Sequence, residues 1–191
     1  MTSRIISKKL VWIVAVGFFL SCGTAFSQNV ALKTRLTNIA LLSFDLGVEA
    51  GLSQKWTAEL SSTYNPWTLA DNMKWKILKF EPQVRYWPCQ KFMGWFISSY
   101  IHGGFFNIGN VPLPPFRDTR YEGWFLGGGI GAGYQFILSR HFNLELEIGG
   151  GYAYSRYDSY MCPKCGTVLS EDTPNHYWGP TKANITLVYL F

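Results

Sequence analysis

The sequence predicts an all-β protein, an eight-stranded antiparallel transmembrane up-and-down β-barrel. Three observations predict it. Eight strand-like runs follow one another, with no convincing helix pattern between them. Within the runs, apolar residues alternate with polar ones at the period of two that marks a strand. The connections are short turns and longer loops in alternation, the layout of a bacterial outer-membrane barrel.

The first segment stands apart from the strands. Arg4, Lys8 and Lys9 give a basic start, and "LVWIVAVGFFL" follows as an apolar core. That core has the length of a signal-peptide centre and is too short to span a bilayer as a helix. Ala25-Phe26-Ser27 offers small residues at −3 and −1, so residues 1–27 read as a signal peptide and 28–191 as the barrel domain. A rival reading makes Cys22 in "FLSCG" a lipidated N-terminus, with Phe19 a poor fit at −3. The signal segment holds three of the 17 basic residues and none of the 12 acidic ones, which leaves 14 − 12 = +2 for the remainder. No basic cluster remains to suggest nucleic-acid binding.

The runs fall at roughly 29–38, 44–52, 56–64, 78–87, 95–106, 121–136, 142–157 and 178–191. "SQK", "PCQKFMG" and "SRH" are the short connections. "NPWTLADNMKWK", "NIGNVPLPPFRDT" and "DSYMCPKCGTVLSEDTPNHY" are the long ones, while the first connection, around "LLS", is short. An even strand count places both ends on the short-turn, periplasmic side. The last run, "NITLVYLF", alternates to a terminal Phe191, which suits a barrel-closing strand ending at a membrane interface.

Sorting each run by parity separates two faces. One carries Leu32, Leu46, Val48, Leu60, Val84, Ile97, Ile101, Leu126, Ile130, Leu146, Ile148 and Ile185, with no charge in the central spans. The other carries Lys33, Arg35, Asp45, Glu49, Glu59, Lys79, Glu81, Arg85, His102, Gln135, Glu145, Glu147 and Lys182. A soluble sandwich would bury the first set; a membrane barrel would turn it to lipid and fill its lumen with the second. The glycines favour the barrel. Gly127, Gly129, Gly131 and Gly133 share the polar face of one run, and Gly149 and Gly151 that of the next. Glycine weakens strands, but a narrow lumen needs small residues opposite long charged ones. Trp56, Trp95, Tyr134, Tyr189 and Phe191 mark one end of the apolar face, and Tyr64, Phe105, Trp124, Tyr152 and Tyr154 the other, as two interfacial girdles.

The lumen charges are expected to pair in two groups. Lys33, Arg35 and Arg85 would share the periplasmic half with Glu49, Glu59, Glu145 and Glu147. Lys79 and Lys182 would share the outer half with Asp45, Glu81 and His102. Near-balanced charges in a low-dielectric lumen pair rather than conduct, so a plug is expected before an ion path. "CPKCG" places Cys162 and Cys165 three apart in the last long loop. A disulfide or plain thiols is the expected state. Zinc would need two more ligands, such as His176 with Glu171 or Asp172, and redox chemistry is the third alternative. Cys89 lies in a periplasmic turn, too far to join them. His102, His141 and His176 are scattered, with no nucleophile–base–carboxylate grouping. "YNPWTLADNMKW" and "VPLPPFRD" are either binding surfaces or an upper aromatic girdle.

Several stretches together resemble a known family: "YNPW" at 64–67, "VRYW" at 84–87, "HGG" at 102–104, "RYEGWF" at 120–125, "GAGYQ" at 131–135, "CPKCG" at 162–166 and "GPTKANITLVYLF" at 179–191. They are similar to the Bacteroidetes outer-membrane barrel family called domain-of-unknown-function family 3575. The resemblance covers essentially the whole chain after the signal. It implies no activity, so no catalytic residue and no cofactor carry over. It implies a surface role, from the company of fimbrial and other surface-assembly genes. The expected function is a non-enzymatic integral outer-membrane barrel with long surface loops, contacting outer-membrane lipid and lipopolysaccharide and a cell-surface or fimbrial protein. The alternatives are a lipid-modifying barrel enzyme and a secreted soluble binding barrel.

Overall fold

The computed structural model describes residues 30–68, 74–110, 119–161 and 168–191. Residues 1–27, expected to be a signal peptide, and Cys22, Cys162 and Cys165 lie outside the described residues. The strands are β1 (Val30–Arg35), β2 (Phe44–Gly51), β3 (Trp56–Thr68), β4 (Lys74–Tyr86), β5 (Gly94–Gly109), β6 (Thr119–Ile137), β7 (Phe142–Met161) and β8 (Val168–Leu190). Each pairs antiparallel with its sequence neighbour, and β1 pairs with β8, so the ring closes. Closure leaves no strand without two neighbours, the usual remedy for raw sheet edges.

Three features differ from the sequence expectation. A short helix, α1 (Leu36–Ala40), sits between β1 and β2 where no helix was foreseen. Five residues are too few to show a helical period. The long loops are shorter than expected, because the strands run on through them. β3 continues to Thr68, β4 starts at Lys74, β7 reaches Met161 and β8 starts at Val168. The polar, proline-bearing stretch 168–177 masks its strand character, yet it pairs with β7 across Tyr157↔Thr173 and Tyr154↔His176. The strands also lengthen round the ring, from six residues in β1 to 23 in β8. The loop end is therefore low at β1–β2 and high at β6–β8.

The apolar set faces outward. Ile130 and Ile148 are each 71% exposed, and Leu46, Leu60, Ile97, Ile101 and Leu126 are exposed as well. A sandwich with these residues as its core is overturned by that orientation. The inward set is buried: Glu49 and Glu145 are 0% exposed. Buried apolar side chains are few. Ala31, Phe92 and Val188 form a small cluster, and Trp87, Phe96 and Tyr100 lie inside the ring.

Register explains the glycine run, and adds partners the expectation did not name. Phe96, Ser98, Tyr100 and His102 on β5 stand directly across from Gly133, Gly131, Gly129 and Gly127 on β6. A Cβ at Gly133 would meet the Phe96 ring at 2.3 Å, and one at Gly127 would meet His102 Nε2 at 2.7 Å. The glycines thus give room to rings leaning from β5, and also, as expected, to long charged side chains. Gly133 stands across from Glu147, Gly149 across from Lys182, and a Cβ at Gly131 would lie 3.3 Å from Glu147 Oε1. At the turn end Phe92 takes φ 63°, a conformation costly for a bulky residue. Its carbonyl accepts from Asn143 Nδ2 at 3.3 Å, and its ring lies 6.1 Å from that of Trp87. Those contacts hold the turn under the ring as a floor.

Candidate functional site

The site the fold builds is its own interior. The charged inward positions of β1–β4, β7 and β8 point at one another, because parity aims them to one side and closure brings that side together. Arg85 is the hub. Its two terminal nitrogens reach Glu145 at 2.8 Å, Glu49 at 3.0 Å, Glu59 at 2.7 Å and Glu147 at 3.2 Å. Lys33 meets Glu145 at 2.7 Å and Glu59 at 3.3 Å, and also pairs with Glu49. Arg35 reaches Glu81 at 2.8 Å and both Glu59 and Asp45 at 3.4 Å. Lys182 meets Glu81 at 2.8 Å and Glu147 at 3.1 Å, and Lys79 meets Glu81 at 2.6 Å.

The eleven charged residues therefore make one connected network. The expected division into two groups does not hold: Arg35 and Lys182 each touch carboxylates of both. Neutral groups take up remaining acceptors. Ser98 donates to Glu147 at 2.6 Å, Gln83 Nε2 donates to the same oxygen at 2.7 Å, and Thr63 donates to Asp45 at 2.7 Å. Thr57 donates to Glu49 and itself accepts from Trp87 Nε1 at 2.9 Å. Satisfaction is extensive but not complete: Arg85 Nε and Glu145 Oε1 are buried without a hydrogen-bond partner. In a buried interior such pairing decides whether charges are tolerable.

Aromatic rings form a second component that charge sorting passes over. The Arg85 guanidinium lies 4.7 Å from the Phe96 ring centre, and the Lys182 ammonium 4.7 Å from that of Tyr100. Trp87 packs on Phe96 at 4.8 Å. A signal existed: Phe96 and Tyr100 fall on the polar parity of a strand whose other parity is apolar, an unusual place for large rings.

The histidines do not converge. His102 is buried and stacked 5.8 Å from Tyr100. His141 lies in a turn against the Leu190 carbonyl at 3.2 Å. His176 Nδ1 meets the Tyr152 hydroxyl at 2.6 Å on the outer surface. Among the described residues none of the three hydrogen-bonds a carboxylate, and no group of three or more His, Cys, Asp or Glu could hold a metal. Asp172 is engaged by Arg156 at 2.8 Å. Trp67 of "YNPW" donates to the Leu42 carbonyl at 2.6 Å, which ties it to the β1–β2 connection. Residues 69–73 and 111–118 of the two loop stretches lie outside the described residues.

Fold and site together define a class: a closed ring of eight up-and-down antiparallel strands, charged within and apolar without. A family model described as "protein of unknown function (DUF3575)" matches residues 10–191, and the chain belongs to that family. Neither a curated protein nor a solved structure matches it.

Proposed function

We propose that this protein is an integral outer-membrane β-barrel of a Gram-negative bacterium, exported through a cleaved signal peptide, without enzymatic activity and without an open channel. The observation that carries the reading is the inverted polarity of the ring. An apolar surface this extensive is unfavourable in water, and a charged interior this complete does not serve as a hydrophobic core. The dimensions agree. Ten residue steps separate Trp95 from Phe105 on β5; at about 3.3 Å per residue and a tilt of about 40°, they rise about 25 Å, the height of a barrel's apolar band. No helix among the described residues is long and apolar enough to cross a membrane.

On this reading the network is a structural plug that holds eight strands in register, and lipid and lipopolysaccharide surround the ring. The raised β6–β8 edge and the loops beside it meet a cell-surface or fimbrial partner. The test is the detergent-purified protein on gels before and after boiling. A folded barrel migrates differently once boiled, and solubility without detergent would sink the reading. In planar bilayers it should form no large, stable channel; a reproducible pore admitting sugars would overturn the plug.

A further inference from the structure

Register lines up three consecutive rows on the outer surface of β3–β7, toward the loop end. The first is Tyr64, Leu78, Phe105 and Trp124, ending in Arg156 on β7. Two residues further along the strands come Pro66, Lys76, Asn107, Glu122 and Asp158. Two further still come Thr68, Lys74, Gly109, Arg120 and Tyr160. The outer face thus turns from aromatic to polar within one row. At that step lies a groove of about 550 Å³, with Leu78, Phe105 and Trp124 along one side and Lys76, Asn107 and Tyr160 along the other.

Three cations converge beside it. Lys76 stands across from Asn107, and Arg120 donates to Asn107 Oδ1 at 2.8 Å. Lys74 and Arg120 flank Gly109, and the Arg120 side chain lies over it, within 3.0 Å of where a Cβ would stand. Lys76 is exposed and makes no ion pair among the described residues. Arg120 is steadied by the Tyr160 ring, 5.5 Å from its guanidinium carbon, and by a pair with Glu122. On the far side Glu122 and Asp158 face each other across β6 and β7. Glu122 pairs with Arg120, and Asp158 accepts from the Tyr160 hydroxyl at 3.4 Å and the Asp172 backbone N–H at 2.8 Å, which leaves each carboxylate further lone pairs.

We infer that this groove is a binding site for a phosphorylated glycolipid of the surrounding leaflet, an inference that rests on the membrane reading above. Each row matches one part of such a molecule. The aromatic row takes acyl chain, Lys74, Lys76 and Arg120 take phosphate through charge-assisted hydrogen bonds, and the Glu122 and Asp158 carboxylates accept sugar hydroxyls. A lipid with a neutral, sugar-free headgroup fits the first row alone, and inorganic phosphate fits the cations alone.

The experiment is native mass spectrometry of the full mature chain in detergent, titrated with lipid A as the phosphorylated glycolipid. Dephosphorylated lipid A, phosphatidylcholine and inorganic phosphate are titrated in parallel. One lipid A should stay bound, and dephosphorylation should weaken binding about tenfold, equivalent to one charge-assisted hydrogen bond. Lys74→Glu/Lys76→Glu/Arg120→Glu should lose as much, whereas Lys55→Glu at the opposite end should lose nothing. Equal binding of phosphorylated and dephosphorylated lipid overturns the inference, as does full binding by the triple variant. The wild-type lipid comparison decides the matter even if the triple variant misfolds. The heat-shift gel separates the two failures: a barrel that shifts but does not discriminate sinks this site alone, and a protein that needs no detergent sinks the membrane reading.

Discussion

Ion pairs in the lumen and ion pairs on the raised wall use the same residue types at similar distances, yet their settings differ. Arg85 meets four carboxylates with its side chain 1% exposed. Arg156 meets Asp172 at 2.8 Å with side chains 43% and 65% exposed. Water and salt screen the second pair, and such surface pairs contribute little. In the first, stripping away a partner leaves uncompensated charge where water cannot reach it. A distance therefore says nothing about worth until the surroundings are stated.

The strongest way to break this comparison is Arg85→Met. It leaves Glu49, Glu59, Glu145 and Glu147 competing for Lys33, Arg35 and Lys182, and should cost about 3–5 kcal/mol. The unfolding midpoint in urea, read in detergent micelles, reports it; a loss no larger than that of Arg156→Ala would refute the buried network's role. Next comes the pair Leu146→Arg and Glu147→Gln, neighbours on opposite faces. On the membrane reading proposed above, an arginine at Leu146 meets an apolar band at about 2–4 kcal/mol. Glu147→Gln keeps its shape and its contact with Ser98 but turns its other terminal atom, no longer charged, toward Arg85 and Lys182. Leu146→Arg should lower the fraction inserted into vesicles, whereas Glu147→Gln should still insert and lose urea stability instead; an insertion defect in both would contradict the assignment of faces.

A smaller effect sharpens the role of the glycines. A Cβ at Gly149 would lie 2.7 Å from the Tyr100 hydroxyl, so Gly149→Ala should cost about 1–3 kcal/mol through overpacking. Tyr100→Phe removes that hydroxyl, and the double variant should recover part of the loss; strictly additive midpoints would mean the two do not touch. The smallest effect is expected of Arg156→Ala, which should leave the midpoint where it was.

The faces were legible in the sequence because parity is local: Glu145 and Leu146 declare opposite sides from adjacent positions. The cross-ring contacts were not. That Lys33 meets Glu145, 112 positions away, depends on the register of every ladder between them. The partners of the glycines failed for the same reason, since only pairing shows that Gly133 faces Phe96. Strand ends failed differently. Past the apolar band, alternation of polarity stops while backbone pairing continues, so 168–177 looked like loop. The five residues of α1 offered no repeat to detect.

The inequality of the strands bears on how the ring comes to close. β6 and β7 share nineteen paired positions, but β1 is held to β8 by five and to β2 by four. Those five join residues more than 150 positions apart, a contact whose entropic cost must be met before it returns anything. The shortest strand carries Lys33 and Arg35, whose side chains reach past its neighbours to β3, β4 and β7. They act as a latch with a built-in proofreading rule. A sheet that has slipped by one residue turns its charges to the wrong side, and Lys33 then finds none of its three carboxylates. Only a chain with all eight strands in step locks.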